Sequence, residues 1–176
     1  MTSTDRSTDR STDRSTDRST DRSISLVRDY PVPPEAVFAA WTEPDQLGWF
    51  SGLPAAQAGA RVDLRPGGTW WTRLQEGPGG RTYPTGGLYR EVQRPHRLVF
   101  SWGAVDGWPE LDPQDPDATP LVSLEFAPTA GGTRMTATLS LSPGLDAAQV
   151  RHWFDLGIRE GWTTTVDRIA DHLAAR

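Results

Sequence analysis

Arg61-Val-Asp-Leu-Arg-Pro-Gly-Gly-Thr-Trp70, Tyr83-Pro-Thr-Gly-Gly-Leu-Tyr-Arg-Glu-Val92 and Pro95-His-Arg-Leu-Val-Phe-Ser-Trp102 decide the fold of this chain. Apolar and polar residues alternate along these segments, as half-buried strands require, and Gly and Pro punctuate them. Arg61–Leu64 and Thr69–Leu74 join through the turn Arg65-Pro-Gly-Gly68, and Gly77-Pro-Gly-Gly80 forms a second hairpin loop. Thr82–Gln93 is a long strand, in which Gly86-Gly87 predicts a bulge that lets the sheet curl. Leu121–Phe126 and Thr133–Leu141 form a last hairpin, turned at Ala130-Gly131-Gly132.

On the N-terminal side, Ile24–Tyr30 is a first strand, with Ile24, Leu26 and Arg28 on one face. Pro34 opens a short helix through Trp41, where its missing N–H would have no partner in any case. Thr42 or Asp45 caps a second short helix ending near Trp49-Phe50. On the C-terminal side, Asp146 and Gln149 form a capping box. From there Val150, Phe154, Ile158, Trp162, Val166, Ile169 and Leu173 recur every three or four residues, with Trp153 beside Phe154. This predicts one helix to about Ala174, roughly 40 Å long at about 1.5 Å per residue. Strands grouped together, with helices segregated from them, make an α+β fold on an antiparallel sheet of six to seven strands. The order suggests a curved sheet folded around one helix, with a ligand-sized space between them.

Composition narrows the chemistry. Residues 1–23 are Met1-Thr2, five copies of Ser-Thr-Asp-Arg, and Ser23. With no aliphatic or aromatic side chain in the repeat there is nothing to bury, so this segment is expected to be a disordered tail. Residues 24–176 are expected to form one domain. Without the tail's five Asp and five Arg, the domain carries 13 Arg against 18 acids, a mildly acidic balance with no basic stripe for nucleic acid. No apolar run spans a bilayer and the polar N-terminus lacks a secretory core, so the expected location is the cytoplasm. There is no Cys, and all 18 basic residues are Arg, which excludes thiolate catalysis, Cys-ligated metals and Schiff-base lysines. Arg-only usage with abundant Ala, Gly and Pro suggests a GC-rich bacterial source.

Alternation also assigns the inward faces. Trp70, Thr72 and Leu74 share one, as do Leu98, Phe100 and Trp102; Val122, Leu124 and Phe126 oppose Met135, Ala137 and Leu139. The helix adds Trp153, Phe154 and Trp162, and eight Trp in the chain suggest that several stand at a cavity wall, because a buried indole N–H needs a partner. Gly157 and Gly161, four apart, each cost about 1 kcal/mol relative to Ala inside a helix. Either a strand packs closely there or space is left for a ligand. The expected cavity residues are Trp70, Thr72, Tyr89, Phe100, Trp102, Leu124, Met135, Trp153, Phe154, Gly157 and Trp162, with Gly157 as the floor. His96, His152 and His172 are too dispersed for a metal site, and no cofactor is expected. The acidic loop Asp106–Asp117 lacks the spacing of a calcium loop, but its Trp108 could close over the cavity mouth.

Leu64-Arg-Pro-Gly-Gly68, Gly87-Leu-Tyr-Arg-Glu-Val92, Arg97-Leu-Val-Phe100, Gly132-Thr-Arg-Met135 and Glu160-Gly-Trp162 stand in the order seen in the SRPBCC superfamily. With Pro33-Pro-Glu-Ala-Val-Phe-Ala-Ala-Trp-Thr-Glu-Pro44, the chain resembles the branch of activator-of-heat-shock-protein-90-ATPase homologues over about Ile24–Leu173. The resemblance implies a helix-grip fold, in which the sheet wraps the C-terminal helix around a cavity. It implies no shared catalytic set. Three functions follow as expectations. The first is non-catalytic binding of a small hydrophobic or amphipathic molecule. The second is co-chaperone-like activation of a heat shock protein 90-type ATPase. The third is a cyclase- or hydrolase-like enzyme, for which Tyr89 and Glu91, on one face by alternation, are the only pair to test.

Overall fold

The computed structural model describes residues 17–77 and 79–176. Of the tail expected over residues 1–23, the first 16 residues lie outside the described residues, as does Pro78 of the expected hairpin loop. Its remaining residues are held against the domain. Strand β1 (Arg18–Ser19) pairs with Ser25 and Ile24 of β2 (Ser23–Tyr30). Asp17 accepts from Arg28 at 2.6 Å, and Asp167 of the C-terminal helix takes the same guanidinium at 2.8 Å.

The chain then forms α1 (Pro34–Thr42), α2 (Gly48–Ser51) and α3 (Ala55–Ala58), one short helix more than expected. Neither Thr42 nor Asp45 caps α2; its N-cap is Leu47, and the Thr42 hydroxyl donates back to the Phe38 carbonyl instead. Strands β3 (Arg61–Val62), β4 (Thr69–Gln75), β5 (Thr82–Gln93), β6 (Arg97–Trp102), β7 (Leu121–Thr129) and β8 (Gly132–Ser140) follow. All neighbours are antiparallel, in the order β1-β2-β8-β7-β6-β5-β4-β3. The three short helices thus carry the chain from one margin of the sheet to the other, and the meander returns to lay β8 beside β2. The inner face is the expected one: Trp70, Tyr89, Leu98, Phe100, Val122, Leu124, Phe126, Met135 and Leu139 are all buried. Opposite residues on that face meet in register, as with Phe100 and Val122, and Leu124 and Ala137.

Two details of β5 differ from the alternation. Gly86 and Gly87 are regularly paired, opposite Trp71 and Trp70. They are glycines because of close approach. A Cβ on Gly86 would lie 2.3 Å from the Trp70 carbonyl oxygen, and one on Gly87 2.3 Å from Trp70 Nε1. The bulge falls instead at Arg90: Tyr89 opposes Phe100 while Glu91 opposes Val99. The extra residue turns Glu91 outward, where it accepts from Arg97 at 3.0 Å, while Tyr89 is 1 % exposed. Tyr89 and Glu91 therefore do not share a face, which removes the acid–phenol pair considered for an enzyme.

The long helix is two helices. The capping box forms as expected, with Asp146 Oδ1 accepting from Ala148 and Gln149 N–H, each at 2.8 Å, and it starts α4 (Ala147–Asp155). Gly157 then adopts φ 77° and ends that helix; α5 (Ile158–Ala174) begins after it. Left-handed backbone at a helix end favours glycine, so Gly157 does not carry the cost of an interior glycine. Helix α5 buries Ile158, Trp162, Val166, Ile169 and Leu173 against the sheet and against α1 and α2. Near its end, His172 shares a hydrogen bond with Gln46 at 3.2 Å. Burial first, then Arg176, holds this imidazole below its ordinary value of 6.5. The folded state thus binds fewer protons there than the unfolded chain, and stability should decline as pH falls through about 6.5. Urea midpoints at pH 7.5 and 5.5 should differ less in His172→Gln than in the wild type; an unchanged difference would contradict this placement.

Candidate functional site

Among the described residues a cleft lies at one end of the sheet, not beneath it, and a separate depression of about 450 Å³ lies between Asp21-Arg22 and α4. Between the inner strands and α5, the gap bounded by Ile24, Leu26, Val122, Ala137, Leu139 and Trp162 is too small for a water molecule. Aromatic rings fill the interior in an edge-to-face chain. Tyr89 meets Phe100 at 6.3 Å, Phe100 meets Trp70 at 5.4 Å, Trp70 meets Phe50 at 5.2 Å, and Phe50 meets Trp162 at 6.0 Å. Trp162 meets Trp102 at 5.1 Å, and Trp102 meets Trp108 at 5.0 Å. Such contacts add about 0.5–1.5 kcal/mol each beyond burial, so the chain is a rigid wall rather than a fluid lining.

Where this chain of rings reaches the surface, a cleft of about 380 Å³ opens. Its sheet side is Leu74 and Gln75 at the end of β4, Tyr83 at the start of β5 and Trp102 at the end of β6. Its helix side is the α4–α5 junction and the face of α5 from Gly157 to Arg168. Trp108 closes one flank. The Trp108 N–H donates to the Pro84 carbonyl at 2.9 Å, and Gly103 N–H to Gly86 at 2.9 Å, so the 103–120 loop is pinned to β5. A Cβ on Gly107 would lie 2.5 Å from the Pro84 oxygen, which is why a glycine precedes that tryptophan. Trp108 and Leu156 also line two neighbouring depressions, of about 610 and 330 Å³.

The floor is the informative part. A Cβ on Gly161 would meet nothing within 4 Å, and one on Gly157 would meet only Glu160 Oε2, at 3.9 Å. No strand packs on either glycine, so close packing does not explain them. Gly157 follows from its left-handed φ of 77°, whereas at Gly161 the backbone imposes no such conformation and the Cβ position is open.

Of the residues expected to line a cavity, the cleft brings together Trp102, Gly157 and Trp162. Trp70, Thr72, Tyr89, Phe100, Leu124 and Met135 are buried behind it as core. Thr72 donates to the Ala58 carbonyl at 3.2 Å, and Met135 Sδ accepts from Trp41 Nε1 at 3.2 Å. Trp153 stands on the far side of Trp108, in the smaller depression. Phe154 faces away, beside Arg22 and under the Arg159 guanidinium at 5.7 Å. Both stand on α4, which the left-handed Gly157 separates from α5. Sequence reading placed Leu74 on an inward face without naming it as a cavity residue, and missed Phe50, Tyr83, Leu156, Glu160 and Arg168.

The electrostatics are simple. Burial, then Glu76, pushes the Tyr83 phenol up, so it stays a neutral hydroxyl. Trp102 Nε1 donates to Thr85 Oγ1 at 3.1 Å, but the buried Trp162 Nε1 has no protein partner. An unmatched buried donor costs about 1–3 kcal/mol. Among the described residues, no group of three or more His, Asp or Glu is placed to hold a metal, and no helix is long and apolar enough to cross a membrane.

A curved antiparallel sheet gripping a C-terminal helix, open at one end, is the helix-grip class of α+β protein. The family model described as "Activator of Hsp90 ATPase homolog 1-like protein" matches residues 31–174, and the chain belongs to that family. Solved structures share the fold. A Nitrosomonas europaea protein is 29% identical, with TM-score 0.69, over 90% of this chain and 97% of that one. An AHSA1-like protein from Aeromonas hydrophila is 24% identical, with TM-score 0.62, over 87% and 92%. An Arthrobacter aurescens protein is 20% identical, with TM-score 0.72, over 92% of each chain. No curated protein matches the chain.

Proposed function

We propose that this protein is a non-catalytic cytoplasmic binder of a small apolar or amphipathic molecule, taken up in the cleft between Trp102, Trp108 and α5. The open floor at Gly161, opposite a rigid tryptophan wall, carries this reading. A helix interior gains about 1 kcal/mol from Ala over Gly, so the empty space has a cost that a ligand would offset. The volume falls within the range of about 300–1,000 Å³ that small-molecule sites occupy. Burying a few hundred Å² of apolar ligand at about 25 cal/mol per Å² supplies several kcal/mol before ordering costs.

Titration with N-phenyl-1-naphthylamine, a neutral apolar fluorophore, tests this. The indole ¹H–¹⁵N resonances of Trp102, Trp108 and Trp162 should shift, while those of Trp41 and Trp49, buried in the α1–α2 cluster, should not. Saturable binding that leaves the first three unmoved would place the site elsewhere.

Family membership supports a second reading, activation of a heat shock protein 90-type ATPase through the surface around Leu156, which is 50 % exposed at the cleft rim. A rise in chaperone ATPase rate that Leu156→Asp abolishes would favour it over the ligand cleft.

A further inference from the structure

We infer that the cleft selects an amphipathic monocarboxylate, whose carboxylate sits on Arg168 and whose apolar body lies against Trp102, Trp108 and Trp162. This rests on the cleft being the binding site proposed above.

Arg168 is seven residues beyond Gly161 on α5, which places it on the same face about 10 Å further along. It lines the cleft, and its guanidinium is little used. Nη1 donates to the Phe50 carbonyl at 3.4 Å, a long hydrogen bond. Arg168 does not pair with any described carboxylate, and among the described residues lining the cleft it is the only cation. Gly52 leaves the room that the guanidinium occupies: a Cβ there would lie 3.2 Å from Nη1. The side chain is thus anchored beside the cleft with most of its five donors unspent.

The other wall groups give the ligand a direction. Glu160 stands at the opposite end of the same helical face, beside Gly157, eight residues and about 12 Å from Arg168. It is too distant to neutralise Arg168 and would repel a carboxylate placed at its own end. The next arginine, Arg81, lies in the neighbouring depression and pairs with Glu76 at 3.7 Å. One cation without an ion pair and one acid at the far end fit one carboxylate, not two. A wall offering a guanidinium fork suits an acceptor-only group, and carboxylate matches the fork in two-point geometry. The chain's net charge of −5 disfavours anions elsewhere on its surface, so any preference for an acid must arise locally at Arg168.

Calorimetric titration of the full chain with 1-naphthylacetate and its uncharged isostere 1-naphthylacetamide tests this. At low ionic strength the acid should bind about tenfold or more tightly than the amide, with the gap narrowing as salt is added. In Arg168→Gln the two should bind alike, at the affinity the amide shows for the wild type. Arg168→Lys, which keeps the charge but loses the fork, should retain part of the preference. Equal affinities in the wild type, or a preference that survives Arg168→Gln, would overturn the carboxylate assignment while leaving the cleft as a binding site. Binding of neither compound would remove the cleft reading and this inference together.

Discussion

Gly161→Leu should abolish uptake of N-phenyl-1-naphthylamine, weakening it beyond about a hundredfold, while leaving the protein as stable as before or more so. The two effects separate because of where Gly161 stands. Its Cβ position is open for 4 Å, so leucine meets no protein atom at its base and its branch fills the cleft beside Trp162. A ligand displaced from an apolar site loses most of its buried area. The helix meanwhile gains roughly 0.8–1 kcal/mol from replacing glycine at an interior position. Thermal melts and probe titrations of one preparation measure both. Loss of binding together with a lower melting temperature would mean that the site is not the open space described. Gly157→Leu is the contrasting variant. At φ 77°, a leucine is strained by about 1–2 kcal/mol whatever the space around it, so this variant should lose stability as well as ligand.

Trp102→Ala should remove about 3–5 kcal/mol of folding stability, the range for truncating a buried aromatic ring. Trp102 is 4 % exposed and meets both Trp108 and Trp162 edge-to-face. Its loss would also leave the Thr85 hydroxyl without its indole donor in a buried position. Domains of this size are stable by only about 5–15 kcal/mol, so the variant should be marginal near physiological temperature. Trp102→Phe keeps a ring in the wall and should lose about half as much. Urea denaturation gives both values, and a loss below about 1 kcal/mol for the alanine variant would show that the tryptophan wall does not carry the core.

Much of this fold was legible because strands announce themselves with a period of two and each burial face follows from it. Ile24 and Leu26, Trp70 and Thr72, Phe100 and Trp102, and Leu124 and Phe126 all point inward as alternation requires. What escaped is what periodicity does not record. Val150, Phe154, Ile158 and Trp162 are spaced by four residues straight through the break at Gly157. An amphipathic pattern therefore cannot distinguish one helix from two joined by a left-handed residue. The bulge at Arg90 inverted the facing of Glu91, whereas Gly86-Gly87, which looked like a bulge, proved to be a close approach to Trp70. The candidate site was half legible for a similar reason. Sequence marked which residues face inward but not which of them fill the interior. Large rings such as Trp70 and Phe100 pack against Phe50 and Tyr89 and leave no gap. The cleft falls at the end of the sheet, where Tyr83, Trp108 and Arg168 meet from three separate elements.

Native mass spectrometry of the protein purified gently from its own host tests the binding role most directly. A reproducible added mass of a few hundred daltons should accompany the wild type, vanish on denaturation, and be absent from Gly161→Leu prepared in the same way. A bare wild-type mass, with no retention of N-phenyl-1-naphthylamine added in excess, would contradict a ligand-binding cleft and favour a role in protein contacts.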